Sequence, residues 1–184
     1  MESNFFKNAE LKLLRKDGSA VLASEALKEA DFVLLYFSAH WCPPCREFTP
    51  LLKKFYEAQH EKKRFEVVFM SLDNSEKEML DYFAEAHGDY YCMTYADTKA
   101  MSWGWGQKYG FKTIPTLLVF ENGSQRNLMA KCGRKMVLKD PSAETFPWRD
   151  ADAMQPAQRN TAEYIRNGLL VLCILWLVYS FLTR

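Results

Sequence analysis

The 184-residue chain predicts an α/β fold in which buried strands alternate with amphipathic helices, followed by a separate apolar terminal segment. Two runs rich in β-branched and aromatic residues, Phe32-Val33-Leu34-Leu35-Tyr36-Phe37 and Phe65-Glu66-Val67-Val68-Phe69-Met70, read as strands covered on both faces. Between them, Phe48, Leu51, Leu52, Phe55 and Tyr56 recur at helical spacing, with Lys53, Lys54 and Glu57 on the opposite face. Beyond Trp148 the composition turns polar, and residues 168–182 then carry no formal charge. These shifts divide the chain into a domain over 1–150, a polar linker over 151–163 and an apolar segment over 164–184.

Each element has a local reason. Residues 1–10 lack the apolar core and small-residue cleavage site of a secretory signal, and Glu2 and Glu10 argue against an import peptide, so the domain is expected to start near Phe5. Residues 11–14 and 20–22, split by Asp17-Gly18, read as a short hairpin. The first long strand delivers Cys42 to the carboxyl edge of a sheet, where active sites of such folds lie. Pro43 and Pro44 suit the first turn of a helix, and Pro50 is expected to kink it. Ser75 and Glu78 form a capping box opening a helix through Met79, Leu80, Tyr82 and Phe83. Ile114-Pro115-Thr116 precedes a strand over 117–120, and Asn122-Gly123 marks a hairpin turn into 128–131. Trp103-Gly104-Trp105-Gly106 puts two glycines in a helical stretch at roughly 1 kcal/mol each against Ala. Its tryptophans are expected to pack a core or a groove.

The chemistry is concentrated in Trp41-Cys42-Pro43-Pro44-Cys45-Arg46. Two intervening residues bring both sulfurs to the first turn of a helix, where orphan N–H groups and the positive dipole end favour a thiolate, so Cys42 is the expected nucleophile. A zinc site would need a second ligand pair at short spacing, whereas Cys92, Cys132 and Cys173 stand alone and His40, His60 and His87 are scattered. An inert structural bridge is disfavoured because so short a loop yields little entropic stabilisation. The redox centre is then the cysteine pair itself, with no metal and no prosthetic cofactor. A formal net charge of +1 argues against nucleic-acid binding.

The order strand, W-C-P-P-C, helix, strand, helix, I-P-T, strand hairpin resembles the thioredoxin fold, a central mixed sheet flanked by helices. The longer matches resemble the tryparedoxins, trypanothione-dependent redoxins of kinetoplastids: Tyr36-Phe37-Ser38-Ala39 leading into the motif, Phe48-Thr49-Pro50, Ile114-Pro115-Thr116-Leu117, Lys139-Asp140-Pro141 and Phe146-Pro147-Trp148. The resemblance implies that Cys42 attacks and Cys45 resolves the mixed disulfide. It also implies that Trp41 covers the pair and that Ile114 and a cis Pro115 contact the substrate. Pro43, Pro44, Arg46 and Tyr36 are the implied neighbours of the site, with Tyr36 where thioredoxins bury an Asp. Arg134 matches an Arg implicated in holding a glutathionyl carboxylate, a task suited to a guanidinium. Residues 72–75 depart from the family, lacking its Trp and denser acidic run, although Asp73 could still attract the cationic polyamine of trypanothione.

Fifteen apolar helical residues reach only about 22 Å against a hydrocarbon core near 30 Å, but Tyr164, Ile165 and the stem of Arg166 extend the run over 168–182. Apolar on every face and flanked by Arg159, Arg166 and Arg184, it reads as a membrane span and not as a packed helix. With two residues after the run, the expectation is a tail anchor with the domain facing the cytosol, on the mitochondrial outer membrane in preference to the endoplasmic reticulum. The expected function is thiol–disulfide exchange, passing electrons from trypanothione to protein disulfides such as two-cysteine peroxiredoxins. The alternatives are a bacterial-type membrane-tethered thiol reductase and a non-catalytic membrane adaptor.

Overall fold

The structure, a computed structural model, describes residues 10–123, 127–149 and 151–152. The described residues belong to one compact unit. The expected start near Phe5, the linker beyond 152 and the apolar run over 168–182 lie outside the described residues. Among the described residues, no helix is long and apolar enough to cross a membrane.

The elements follow the order β1 (Lys12–Leu14), β2 (Ala20–Leu22), α1 (Ala23–Ala26), β3 (Phe32–Ser38), α2 (Pro43–Lys63), β4 (Phe65–Ser71), α3 (Glu76–Ala86), β5 (Tyr91–Met93), α4 (Tyr95–Tyr109), β6 (Thr116–Glu121), β7 (Leu128–Ala130) and α5 (Gly133–Lys139). They build a mixed sheet in the order β2-β1-β5-β4-β3-β6-β7, with β3 parallel to β4 and antiparallel to β6. The apolar run of β3 is continuous because both its faces are covered. Leu34 and Tyr36 face a core with Phe48, Leu52 and Phe55 of α2 and Met79, Tyr82 and Phe83 of α3. Val33, Leu35 and Phe37 face Leu27 and Trp105 on the other side.

The hairpin of β1 and β2 forms as the pattern requires, closed where Gly18 takes a positive φ of 81°. α2 starts at Pro43 and runs on through Pro50 to an αL cap at Arg64. Ser75 caps α3 by accepting from the Glu78 amide at 3.2 Å, but the Glu78 carboxylate returns to the Asn74 amide, one residue before the cap. β6 and β7 pair as a hairpin, and Asn122 does more than turn the chain: its amide donates to the Leu27 and Ala30 carbonyls.

The Lys-Asp-Pro to Phe-Pro-Trp stretch is organised by one carboxylate. Asp140 accepts from the Glu144 and Thr145 amides, the Thr145 hydroxyl and Trp148 Nε1, which draws the indole into the core beside Phe55. Partial burial raises the pKa of this carboxyl, but the hydrogen bonds outweigh it and leave Asp140 below the ordinary carboxylate range. A second carboxylate, Asp152, accepts from the Lys131 and Cys132 amides at the start of α5.

Candidate active site

The turn after β3 carries the motif to the sheet's carboxyl edge. Cys42 is the N-cap of α2, its amide donating to the Ala39 carbonyl and its own carbonyl accepting from the Cys45 and Arg46 amides. Pro43 and Pro44 occupy positions whose N–H groups would have no helical partner, which is why two prolines are tolerated there. Cys42 and Cys45 are joined as a disulfide, with Cα atoms 5.2 Å apart. Cys42 is 5% exposed and Cys45 fully buried, so an incoming sulfur reaches Cys42 first.

The turn is laced to the loop after β4. The Leu72 amide donates to the Ser38 carbonyl at 2.8 Å, the His40 amide to Asp73 Oδ1 at 2.7 Å and Trp41 Nε1 to the Leu72 carbonyl at 3.2 Å. Arg46 closes the turn from the helix side by donating to the His40 carbonyl. Asp73 is therefore a structural brace. It is fully buried, its second oxygen accepts from the Ser71 hydroxyl, and its carbonyl accepts from Tyr95 and Lys99 on α4. The expectation that Asp73 attracts a polyamine is corrected by this burial: a dissolved cation does not reach a carboxylate enclosed by its own chain.

Behind the pair, the Thr49 hydroxyl donates to the Cys45 carbonyl at 2.9 Å. With its one proton so committed, it accepts from the phenols of Tyr36 at 2.7 Å and Tyr82 at 2.6 Å. Burial raises the Tyr36 phenol above its ordinary range, against a smaller pull from neighbouring hydroxyls. The phenol is therefore held as a protonated donor to Thr49 behind the pair.

Ile114 and Pro115 lie across from the cysteines, joined by a cis peptide. Cys42 Sγ is 3.8 Å from the Ile114 carbonyl oxygen, and Ile114 packs with Ala39, Leu72 and the two cysteines. Arg134, in the first turn of α5, is exposed and sits 5.9 Å over the ring of Phe48, outside the groove that opens at Cys42. That groove holds about 990 Å³ and runs between the motif and α4, with Trp41, Leu72, Trp103 and Phe111 on its walls. Of the tryptophans on α4, Trp105 joins the core while Trp103 stands 78% exposed at the groove. No cluster of potential metal ligands occurs among the described residues.

Sequence reasoning missed Thr49, Tyr82 and the brace made by Ser71 and Asp73. Thr49 was within reach of a helical argument, since it lies one turn after Cys45 and shares its face.

This arrangement supports two-electron exchange. A Cys42 thiolate attacks one sulfur of a disulfide, displacing the other as thiolate and forming a mixed disulfide; Cys45 then attacks Cys42 Sγ and releases the second thiol. The client disulfide gains two electrons and the pair is left oxidised, to be reset by an external dithiol. No prosthetic group takes part.

A thioredoxin-like family model matches residues 30–126. The chain is similar to tryparedoxin of Trypanosoma brucei brucei, 38% identical over 136 residues that cover 74% of this chain and 90% of that protein. It is also similar to nucleoredoxin of Homo sapiens, 34% identical over 163 residues; these cover 88% of this chain and only 36% of nucleoredoxin, so the chain spans about a third of that relative. Among solved structures, tryparedoxin II from C. fasciculata superposes with a TM-score of 0.72 at 38% identity, covering 82% of this chain and 95% of that one. Tryparedoxin II complexed with glutathionylspermidine gives 0.69 at 38% identity, covering 78% and 96%.

Proposed function

Because the chain belongs to the thioredoxin-like family and is a thiol–disulfide oxidoreductase related to tryparedoxin and nucleoredoxin, we propose that it works as a tryparedoxin does, taking electrons from trypanothione and passing them to protein disulfides. The observation that carries this reading is the grazing exposure of Cys42 beside a fully buried Cys45 at the mouth of the groove. Support for the donor comes from the relative whose structure holds glutathionylspermidine. Clients of the two-cysteine peroxiredoxin type fit the same chemistry: their disulfide accepts the electron pair, and Cys45 completes the release.

The apolar run over 168–182 anchors the domain to a bilayer in this reading, on the mitochondrial outer membrane with the cysteine pair facing the cytosol. A fluorescent fusion of residues 161–184 tests that address, and a label that follows the endoplasmic reticulum rejects it.

The donor is tested by reducing the Cys42–Cys45 disulfide of the full chain separately with trypanothione, with glutathione and with thioredoxin reductase. Trypanothione is expected to be fastest. A faster rate with either of the others, or undiminished turnover in Cys42→Ser, refutes the assignment.

A further inference from the structure

We propose that Trp103 selects clients: the groove beside Cys42 takes an extended peptide segment carrying a bulky apolar side chain next to its disulfide cysteine, and Trp103 forms the wall that grips this side chain. The proposal rests on the thiol–disulfide chemistry of Cys42 and does not depend on which dithiol resets the pair.

Large apolar side chains that stay exposed in a folded domain mark contact surfaces when they converge. Here two tryptophans converge on one groove. Trp41 is 52% exposed, and its indole is fixed by the bond to the Leu72 carbonyl; Trp103 is 78% exposed on α4. Trp105, two residues on, is buried against Phe37 and Phe120, so α4 is anchored by one tryptophan while it presents the other.

Gly106 and Gly110 then have a reason. Gly106 lines the groove, and a Cβ there would already lie 3.4 Å from the Phe111 carbonyl, so a side chain would narrow the space that Trp103 borders. Gly110 ends α4 at a positive φ of 71° and lets the chain turn back along the groove to Ile114. The helix thus gives up propensity at Gly104 and Gly106, and at Gly106 it gains an open channel leading to Cys42.

The lining suits an apolar peptide segment. Among the described residues lining the groove, Lys112 alone is charged. An exposed lysine is screened and does not bar the donor from Cys42, but it favours a neutral or acidic peptide segment over a basic one. An exposed tryptophan in a desolvated contact is the residue type that dominates binding at interfaces. A small dithiol needs only the sulfur of Cys42; a protein client can use the whole groove.

The test uses the full chain, dithiothreitol as reductant, and two synthetic peptides with an intramolecular disulfide that differ only in Phe or Ser two residues from the reactive cysteine. Each kcat/KM is normalised to hydroxyethyl disulfide, which reports the cysteine pair alone. The wild type is expected to prefer the Phe peptide by about tenfold or more, in keeping with a tryptophan hot spot. Trp103→Ala should bring the ratio to within about twofold of one, chiefly through KM, and Trp103→Phe should retain most of the preference. A wild type without preference, or an unchanged ratio in Trp103→Ala, overturns the proposal. So does a Trp103→Ala variant that turns a dimer into a monomer with the ratio unchanged, because the groove would then hold a second copy of this chain.

Discussion

Thr49→Val is the perturbation that best probes how the cysteine pair is supported. Valine keeps the shape of threonine and removes one oxygen, but that oxygen joins three groups: the Cys45 carbonyl and the phenols of Tyr36 and Tyr82. Thr49 and Tyr36 are fully buried and Tyr82 is 2% exposed, so water does not replace what is lost. Each stranded buried donor costs about 1 to 3 kcal/mol, which puts the loss for the two phenols at roughly 2 to 6 kcal/mol, a large part of a small domain's stability. The lower end applies if Tyr36 turns to the Ser38 hydroxyl, which is buried with no partner of its own. Urea unfolding of Thr49→Val measures the loss. The triple variant Tyr36→Phe, Thr49→Val, Tyr82→Phe removes the donors together with their acceptor and should return to within about 1.5 kcal/mol of wild type, because deleting both partners of a bond is nearly neutral. A single variant costing less than about 1 kcal/mol, or a triple variant no more stable than the single, would refute the reasoning.

Two buried groups should oppose each other in the pH dependence of stability. Burial, with a smaller push from Lys16, holds His87 neutral well below its ordinary 6.5, so stability is lost as pH falls below 6.5; burial raises Glu66 from 4.5 to about 7, so stability is lost as pH rises from 4.5 to 7. Each contributes up to about 1.4 kcal/mol per pH unit, so just below 6.5 the two slopes should oppose each other in the wild type, while Glu66→Gln should rise with pH and His87→Asn should fall; equal slopes in the two variants, read by denaturant titration, would contradict this. Gly133→Ala would put a Cβ 2.6 Å from the Leu117 carbonyl oxygen, and forcing α5 off β6 should cost about 1 to 3 kcal/mol, seen as a lower Tm. Asp73→Ala should lower stability by about 1 to 3 kcal/mol, because the His40 amide and Ser71 hydroxyl lose their acceptor. A higher KM for trypanothione at unchanged stability would instead restore Asp73 as a polyamine site.

What could be read in advance depended on how local its cause was. β3 and β4 announced themselves because their burial on both faces forces a continuous apolar run, and α2 because Pro43 and Pro44 fit only the start of a helix. β5 escaped because three residues between β4 and β1 cannot establish a period. α5 escaped because it is seated by Gly133 against Leu117 and by Asp152 on the Lys131 and Cys132 amides, contacts that no short window contains. The cis peptide at Ile114-Pro115 was expected through resemblance, whereas the one at Phe146-Pro147 was not. Asp73 was misread for the same reason: its partner His40 lies 33 residues away, and nothing near residue 73 indicates burial.

That misreading bears on how the departure at 72–75 acts. Residues 72 and 73 bond to the turn before Cys42 on one side and, through Tyr95 and Lys99, to the start of α4 on the other. A change in this loop therefore acts on the distance between the motif and α4, the two walls of the groove, and not on a charge offered to solvent. Leu72, facing the cysteines between those walls, leaves an apolar floor. Selectivity in this chain is then a property of groove shape, set by the brace at Asp73 and the tryptophan on α4, while the exchange chemistry stays with Cys42 and Cys45.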